Sequence, residues 1–345
     1  ACALTDHGNM YGALKFKSAM KEAGLKAILG CEIYIAPREM SQKDYGIDNK
    51  YNHMVLLAKD LQGYRNLVKI VSIAHMDGFY YKPRIDFETL SKYSEGLIAL
   101  SGCLAGTVSR PLLENNYNLA LENAKKYSEL FKDNYFIELM RNGMPEQDTV
   151  NEGLLKISKE LDLPLVATCD SHYLNREDAD IQEVLWCIAD GKTWDNPTRR
   201  RMPTNEFYVK TPKEMEDLFK DIPQAIENTQ KIVDMIEDFD ITFGRVEPKF
   251  LDLPKGHTSE TYLKELTMEG AKLKYGKITK ELKERIEYEL KIINDKMYND
   301  YFLVVRDFVI FCRDNGIVVG MRGSGCGSVV AYCVDITDLE PISWE

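Results

Sequence analysis

Glu152-Gly-Leu-Leu-Lys-Ile-Ser-Lys-Glu-Leu161, Leu165-Val-Ala-Thr168 and Cys169-Asp-Ser-His172 follow one another almost without interruption, separated only by Asp162-Leu-Pro164. The first segment carries apolar residues near three- and four-residue spacing, which predicts an amphipathic helix. The second is a short apolar run of strand length. The third is a polar loop that holds a carboxylate and an imidazole. A helix, a strand and then ligand-grade side chains at the strand's carboxyl end is the arrangement by which α/β folds place their chemistry.

The pattern repeats along the chain. Strands are predicted at Ala1–Thr5, Lys26–Ile35, His53–Ala58, Leu97–Leu100, Tyr135–Leu139 and Leu165–Thr168, with helices at Ala13–Ala23, Gly63–Ile73, Tyr117–Leu130 and Glu152–Leu161 between them. Such alternation implies βαβ units and a mostly parallel sheet, open or closed into a barrel. From Cys187 to Asp238 the chain reads as loop and then helices. Pro248, Pro254 and Gly256 mark a linker. Helices follow at about Ser259–Tyr275, Lys280–Met297 and Asp300–Asn315, and then a short strand, Ile317–Gly320, enters the glycine-rich Met321-Arg-Gly-Ser-Gly-Cys-Gly-Ser328.

With 345 residues there is room for roughly two domains at about 150 residues each. The composition, 44% hydrophobic and 29% charged, is that of a globular protein rather than a disordered one. Eight cysteines without a Cys-x-x-Cys pair exclude a zinc ribbon and fit a reducing cytosol. The most apolar run, Tyr301–Phe311, is interrupted by Arg306 and Asp307 and falls short of the ~20 residues of a membrane helix. A soluble, cytoplasmic protein is expected. The net charge of −11 argues against a nucleic-acid coat, while leaving room for a local basic groove. Both ends of the chain read as internal to a longer protein.

Ligand-type side chains collect where strands end. Asp6-His7 follows the first strand and Asp170-Ser-His172 the last, with Cys103 in Ser101-Gly-Cys-Leu-Ala-Gly106, Glu138, and Glu32 in Gly30-Cys-Glu-Ile-Tyr34. Imidazole with carboxylate suits zinc, manganese or iron, and such clusters activate water for phosphoester hydrolysis. Taken singly, each residue also reads as an ordinary loop or core side chain. Glu138 reads equally as an ion-pair partner of Arg141.

Four blocks together, Ala3-Leu-Thr-Asp-His-Gly-Asn-Met-Tyr-Gly12, Gly30-Cys-Glu-Ile-Tyr34, Gly78-Phe-Tyr-Tyr-Lys-Pro-Arg-Ile-Asp86 and Ser101–Gly106, resemble the PHP domain of bacterial DNA polymerase III alpha subunits. The resemblance implies an α/β fold, a PHP-type distorted (β/α)7 barrel with its first strand missing, over residues 1–238. It also implies metal ligands at His7, Glu32, His53, Cys103, Asp170 and His172, holding Mn2+ or Zn2+. His53 is implied by the resemblance alone, because it begins its strand instead of ending it. His75 and His257 match no ligand position and are expected at the surface. The family's domain opens with a His-x-His strand and an aspartate that nothing before Ala1 supplies.

The glycine-serine segment gives a second resemblance. By pattern alone it is either a phosphate loop, with close backbone approach and free N–H groups at a helix start, or a tight strand–helix turn. Tyr301-Phe-Leu-Val-Val-Arg-Asp-Phe308, Asn315-Gly-Ile-Val-Val-Gly320 and Arg322-Gly-Ser324 resemble the start of the polymerase III palm. The implied architecture is a linker at 239–258, then an α-helical segment leading into an incomplete nucleotidyltransferase-type palm at 259–345. Triphosphate contacts are implied at Arg322, Gly323, Ser324, Gly327 and Ser328. Gly320-Met321 is one residue shorter than the family's usual entry to this loop, and Gly325-Cys326 stand where two alanines are usual. The palm's catalytic aspartates are expected beyond Glu345, with Asp335 and Asp338 as turn residues, so the chain alone is expected to be inactive as a polymerase.

Of the basic features, Arg199-Arg-Arg201 reads as a solvated loop. Lys82 and Arg84, set among tyrosines, read as candidates for guiding a primer end. The leading reading is a piece of a template-directed DNA polymerase of chromosome replication, using Mg2+, with a front domain giving or descended from a 3′–5′ exonuclease. Its partners would be DNA primer-template, dNTPs, the sliding clamp and other replisome subunits, with no membrane. Two alternatives stay open: a free-standing PHP phosphoesterase, and a non-catalytic structural scaffold.

Overall fold

The computed structural model describes residues 1–241 and 246–344, so residues 242–245 of the expected linker lie outside the described residues. The chain divides into two compact units, Ala1–Ile241 and Thr242–Glu345.

The first unit is built on eight strands: β1 (Cys2–Leu4), β2 (Ala27–Ile35), β3 (Asn52–Ala58), β4 (Phe79–Tyr80), β5 (Lys82–Ile85), β6 (Leu97–Leu100), β7 (Tyr135–Met140) and β8 (Leu165–Thr168). They form one curled sheet in the order β4-β5-β2-β3-β6-β7-β8, with β1 added beside the first half of β2. Nine helices accompany it: α1 (Ala13–Glu22), α2 (Leu61–Met76), α3 (Phe87–Lys92), α4 (Ser109–Leu113), α5 (Tyr117–Phe131), α6 (Pro145–Leu161), α7 (Ala179–Asp190), α8 (Pro212–Leu218) and α9 (Pro223–Met235).

The expectation of a mostly parallel sheet needs one correction. β3 runs antiparallel to both β2 and β6, while the β1–β2, β2–β5, β6–β7 and β7–β8 pairs are parallel. The cause is local. No helix separates β2 from β3; the chain returns through a turn-rich loop over residues 36–51, and a parallel partner would need a crossover.

The strand period of two sorts side chains onto two faces. Cys31, Ile33, Met54, Leu56, Leu97, Ala99, Tyr135 and Ile137 join the large core with α2, α5 and α6. Ile28, Val55, Leu57, Ile98, Leu100, Phe136 and Val166 make the other face, covered by Ile232 and Ile236 after β8. Glu32, His53 and Glu138 share the parity of this second set. One face is therefore apolar at one end and polar at the other.

The second unit holds α10 (Ser259–Tyr275), α11 (Lys280–Asp295), α12 (Asn299–Asp314) and α13 (Val329–Cys333). Leu263, Ile293, Leu303, Val330 and Ile336 form one core, and Ala271, Leu282, Ile286, Val329 and Cys333 another. Among its described residues there is no strand. Ile317–Gly320 is irregular, and a 3-10 turn over Gly323–Gly327 follows it. An apolar run with no neighbouring strand has no ladder in which to place its N–H and C=O groups. α10 meets the end of α13 backbone to backbone: a Cβ on Gly270 would stand 1.8 Å from the Cys333 carbonyl oxygen. Gly270→Ala is therefore expected to cost roughly 1–3 kcal/mol, as overpacking does, read as a lowered denaturation midpoint. No helix among the described residues is long and apolar enough to cross a membrane.

Candidate metal centre and candidate phosphate loop

The polar end of the curled sheet gathers side chains from five separate segments. His7 follows β1 and forms an isolated bridge with Glu32 of β2. His53 stands at the start of β3, which, because β3 is reversed, lies beside the carboxyl ends of its antiparallel neighbours β2 and β6. Ligand atoms of His7, Glu32 and His53 all lie within 4.8 Å of one another. His7 Nδ1 is 3.6 Å from Glu32 Oε1, and His53 Nδ1 touches the same oxygen. Cys103 Sγ lies 3.6 Å from His53 Nδ1. The His172 ring centroid is 5.8 Å from that of His7, and His172 Nδ1 lies 3.8 Å from Asp170 Oδ1. All six positions implied by the resemblance thus gather in one region, with His7, Glu32 and His53 as its tight centre.

Burial acts to raise the Glu32 carboxyl, but the hydrogen bond from His53 and the imidazoles of His53, His7 and His172 outweigh it and leave Glu32 below the usual carboxylate range. Burial raises Asp170, with His172 opposing, and holds the Cys103 thiol well above its usual value, helped by Glu32 and Asp170. Asp170 also occupies the left-handed backbone region at φ 46°, a conformation that costs a non-glycine residue of order 1 kcal/mol and gathers at functional sites.

The donor set fits a divalent cation. Glu32 Oε1 is buried without a hydrogen-bond partner of proper geometry, although two imidazole nitrogens face it. Lone pairs crowded on one point in this way are balanced by a positive ion. Nitrogen, oxygen and sulfur donors together suit zinc or manganese better than a magnesium site.

Neighbours absent from the ligand set shape this centre. His75 is exposed, as expected, yet its Nε2 lies 2.9 Å from the Gly8 carbonyl oxygen and so touches the loop that carries His7. Lys82 Nζ lies 5.7 Å from the centroid of Tyr34, whose ring stacks on His7 at 6.3 Å. Glu138 does not pair with Arg141. It accepts hydrogen bonds from Gly102 N–H (2.9 Å) and Thr168 Oγ1 (2.7 Å), while Arg141 forks onto Asp221. Burial pushes the Glu138 carboxyl up to about 8, Glu32 and Asp170 adding to the rise and the Thr168 and Gly102 bonds opposing it.

Two basic features are corrected. Arg84 is fully buried and cannot face a DNA strand; its guanidinium is spent on backbone carbonyls. Arg199 is buried against Glu183 and stacked 3.8 Å over Trp194, and Arg200 forks onto Asp190. Arg199 is thus an internal fastening and Arg200 an exposed one, both on carboxylates of α7, while Arg201 is exposed as a solvated loop residue.

In the second unit Arg322, Gly323, Ser324 and Gly327 are exposed, and Gly323 has φ 77°. Ser324, Gly327 and Ser328 line one cleft with Glu289, Ile292, Ile293 and Phe302. Ser328 Oγ donates to Glu289 at 2.8 Å. Asp335, at φ 64°, pairs with Lys274 (2.8 Å) and Asp338 with Arg313 (2.7 Å). Both aspartates are thus tied into the turn after α13.

A mixed α/β sheet that gathers histidines, a buried glutamate, a cysteine and an aspartate at one end is the plan of a PHP domain, and the PHP domain family model matches residues 1–142. The model of the bacterial DNA polymerase III alpha NTPase domain matches residues 261–345. A DNA polymerase III subunit alpha of Borreliella burgdorferi is 45% identical over 345 residues, covering 99% of this chain and 30% of that protein. Proteins of the same name from Treponema pallidum (40% identical, 100% and 30% covered) and Aquifex aeolicus (39%, 99% and 31%) are also similar. The chain belongs to the bacterial DNA polymerase III alpha subunit family, and it spans about 30% of the length of these relatives.

Proposed function

We propose that the chain serves template-directed DNA synthesis in chromosome replication, as the front part of a cytoplasmic polymerase. In this reading residues 1–238 are a metal-dependent 3′–5′ exonuclease or phosphoesterase domain, 239–258 a linker, and 259–345 the beginning of the palm. The partners are DNA primer-template and dNTPs, with the sliding clamp and other replisome subunits engaged by the whole protein. Mg2+ serves polymerisation and Mn2+ or Zn2+ the front site.

The observation that carries the front-domain reading is the buried Glu32 oxygen on which the Nδ1 atoms of both His7 and His53 converge. A catalytic site is favoured over a scaffold because ligand-type side chains stand at all six positions, and because Asp170 keeps a strained backbone there. His7, Glu32, His53, Cys103, Asp170 and His172 would hold the ions. The bound ions would supply an activated water and charge neutralisation at a phosphodiester. Lys82 and His75 would fix the rings and the loop around them.

The test is manganese-stimulated 3′–5′ cleavage of a labelled primer by the full-length protein. The double variant Asp170→Ala/His172→Ala is expected to lose at least 100-fold in rate while keeping polymerase activity. Cleavage that survives both changes removes the catalytic role.

For the second unit, the proposal assigns the loop from Arg322 to Ser328 to the incoming triphosphate. Its exposed glycines and arginine support this, since free backbone N–H groups and a planar guanidinium suit phosphate oxygens. The palm aspartates are assigned elsewhere in the whole protein, so this chain alone is taken as inactive in polymerisation.

A further inference from the structure

The glycine-serine loop is moored from one side by a single carboxylate. Glu289 of α11, with its side chain 12% exposed, accepts at Oε2 from Ser328 Oγ (2.8 Å) and Val330 N–H (3.0 Å). At Oε1 it accepts from Val329 N–H (3.1 Å) and from Arg285 Nε (2.7 Å). Arg285, one turn earlier on α11, also reaches the Gly327 carbonyl at 3.3 Å. The helix thus grips residues 327 to 330 in succession.

Hydrogen-bond capacity then decides what is left for a ligand. A serine hydroxyl has one hydrogen to donate. That of Ser328 goes to Glu289, and its oxygen accepts from Ala331 N–H at 3.0 Å. Val329 and Val330 are fully buried against α10 and α11, so their amides are committed as well. α13 has only five residues, too short to offer a helix-end site of its own. Of the five implied phosphate contacts, Arg322, Gly323, Ser324 and Gly327 remain exposed.

We infer that Glu289 is a positioning residue for nucleotide binding, and that Ser328 belongs to the same mooring instead of gripping phosphate. The inference rests on the triphosphate reading given above. Without the carboxylate, three buried donors lose their acceptor, which costs far more than an exposed hydrogen bond. The exposed part of the loop then loses its fixed height above α11, and a displacement of about 1 Å in a binding loop is felt strongly.

The experiment is steady-state insertion of one nucleotide by the full-length polymerase on a primed template, with dNTP concentration varied. Glu289→Ala is expected to raise KM for dNTP at least tenfold, with primer-template affinity within twofold of wild type. Glu289→Gln keeps one acceptor oxygen and is expected to recover part of the loss. Ser328→Ala raises KM less, and in the Glu289→Ala background it adds nothing, because the tie is already broken. Losses that multiply in the double variant mean that Ser328 holds phosphate independently, and they overturn the inference. Should Glu289→Ala fail to fold, the same cycle is run with Glu289→Gln. Arg322→Ala separates the two levels of the argument. If it raises KM and the Glu289 variants do not, only the mooring falls; if neither moves KM, the triphosphate reading falls with it.

Discussion

Arg84→Met is expected to destabilise the first unit by roughly 3–5 kcal/mol, because several backbone carbonyls lose a charged donor and each buried polar group left unsatisfied costs about 1–3 kcal/mol. Arg84 is 0% exposed. Its Nε donates to Gly78 O (3.1 Å), Nη1 to Asp48 O (2.6 Å), and Nη2 to Met40 O (3.1 Å) and Gln42 O (3.2 Å). The residues it holds at 40, 42 and 48 belong to the loop joining β2 to β3, which has no ladder of its own. Asp48, also buried, adds a second clamp through Arg38 Nε at 3.0 Å and Asp44 N–H at 2.8 Å. Methionine fills the volume and leaves four carbonyls unpaired, so the loss lies in hydrogen bonding and not in packing. Arg84→Lys recovers little, because an ammonium lacks the planar fork that spans several acceptors. A fall in the denaturant midpoint, with new proteolytic cleavage between residues 37 and 50, checks the claim. An unchanged midpoint would refute it. The loop ends at Asn52-His53, so the same variant is expected to weaken the metal centre.

The periodic elements were legible without coordinates. β6 and β8 fall where apolar runs predict them, and α10 spans the predicted Ser259–Tyr275. Orientation was harder. His53 looks misplaced for a ligand only while β3 is taken as parallel, and the missing helical period between Ile35 and Asn52 was the available sign that the strand reverses. No helix is predicted over α7, and its last residues fall in the loop expected from Cys187, although Ile181, Val184, Leu185 and Ile188 recur at helical spacing; all four are exposed, so burial and pattern disagree there. The pairing of charges was not legible at all. Glu138 with Thr168, Arg141 with Asp221, Arg199 with Glu183 and Glu289 with Ser328 are long-range contacts that depend on the packed fold, and sequence neighbours such as Glu138 and Arg141 mislead. Ile317–Gly320 shows the opposite error, since strand propensity without a partner does not make a strand.

Glu32→Gln is expected to lower the affinity of the front site for Mn2+ or Zn2+ by more than about 100-fold, beyond the 10–100-fold typical of losing an outer-shell contact. His75→Ala, which removes only the buttress on Gly8 O, is expected to fall within that outer-shell range. The stability signature separates these from general damage. In the metal-free protein the imidazoles hold the buried Glu32 carboxyl below the usual carboxylate range, so removing this one partner leaves them uncompensated and destabilises the fold. Glu32→Gln should therefore melt lower than wild type even when metal is chelated, and only the metal-dependent shift reads the site. Adding metal at 100 times its dissociation constant should stabilise the wild type by about 2.7 kcal/mol and leave the variant nearly unmoved. Titrating chelated full-length protein with Mn2+ or Zn2+, and following bound metal and melting temperature together, reads both quantities. A variant that still binds metal at wild-type affinity would show that Glu32 is a buried ion-pair residue and that His7 and His53 answer to it alone.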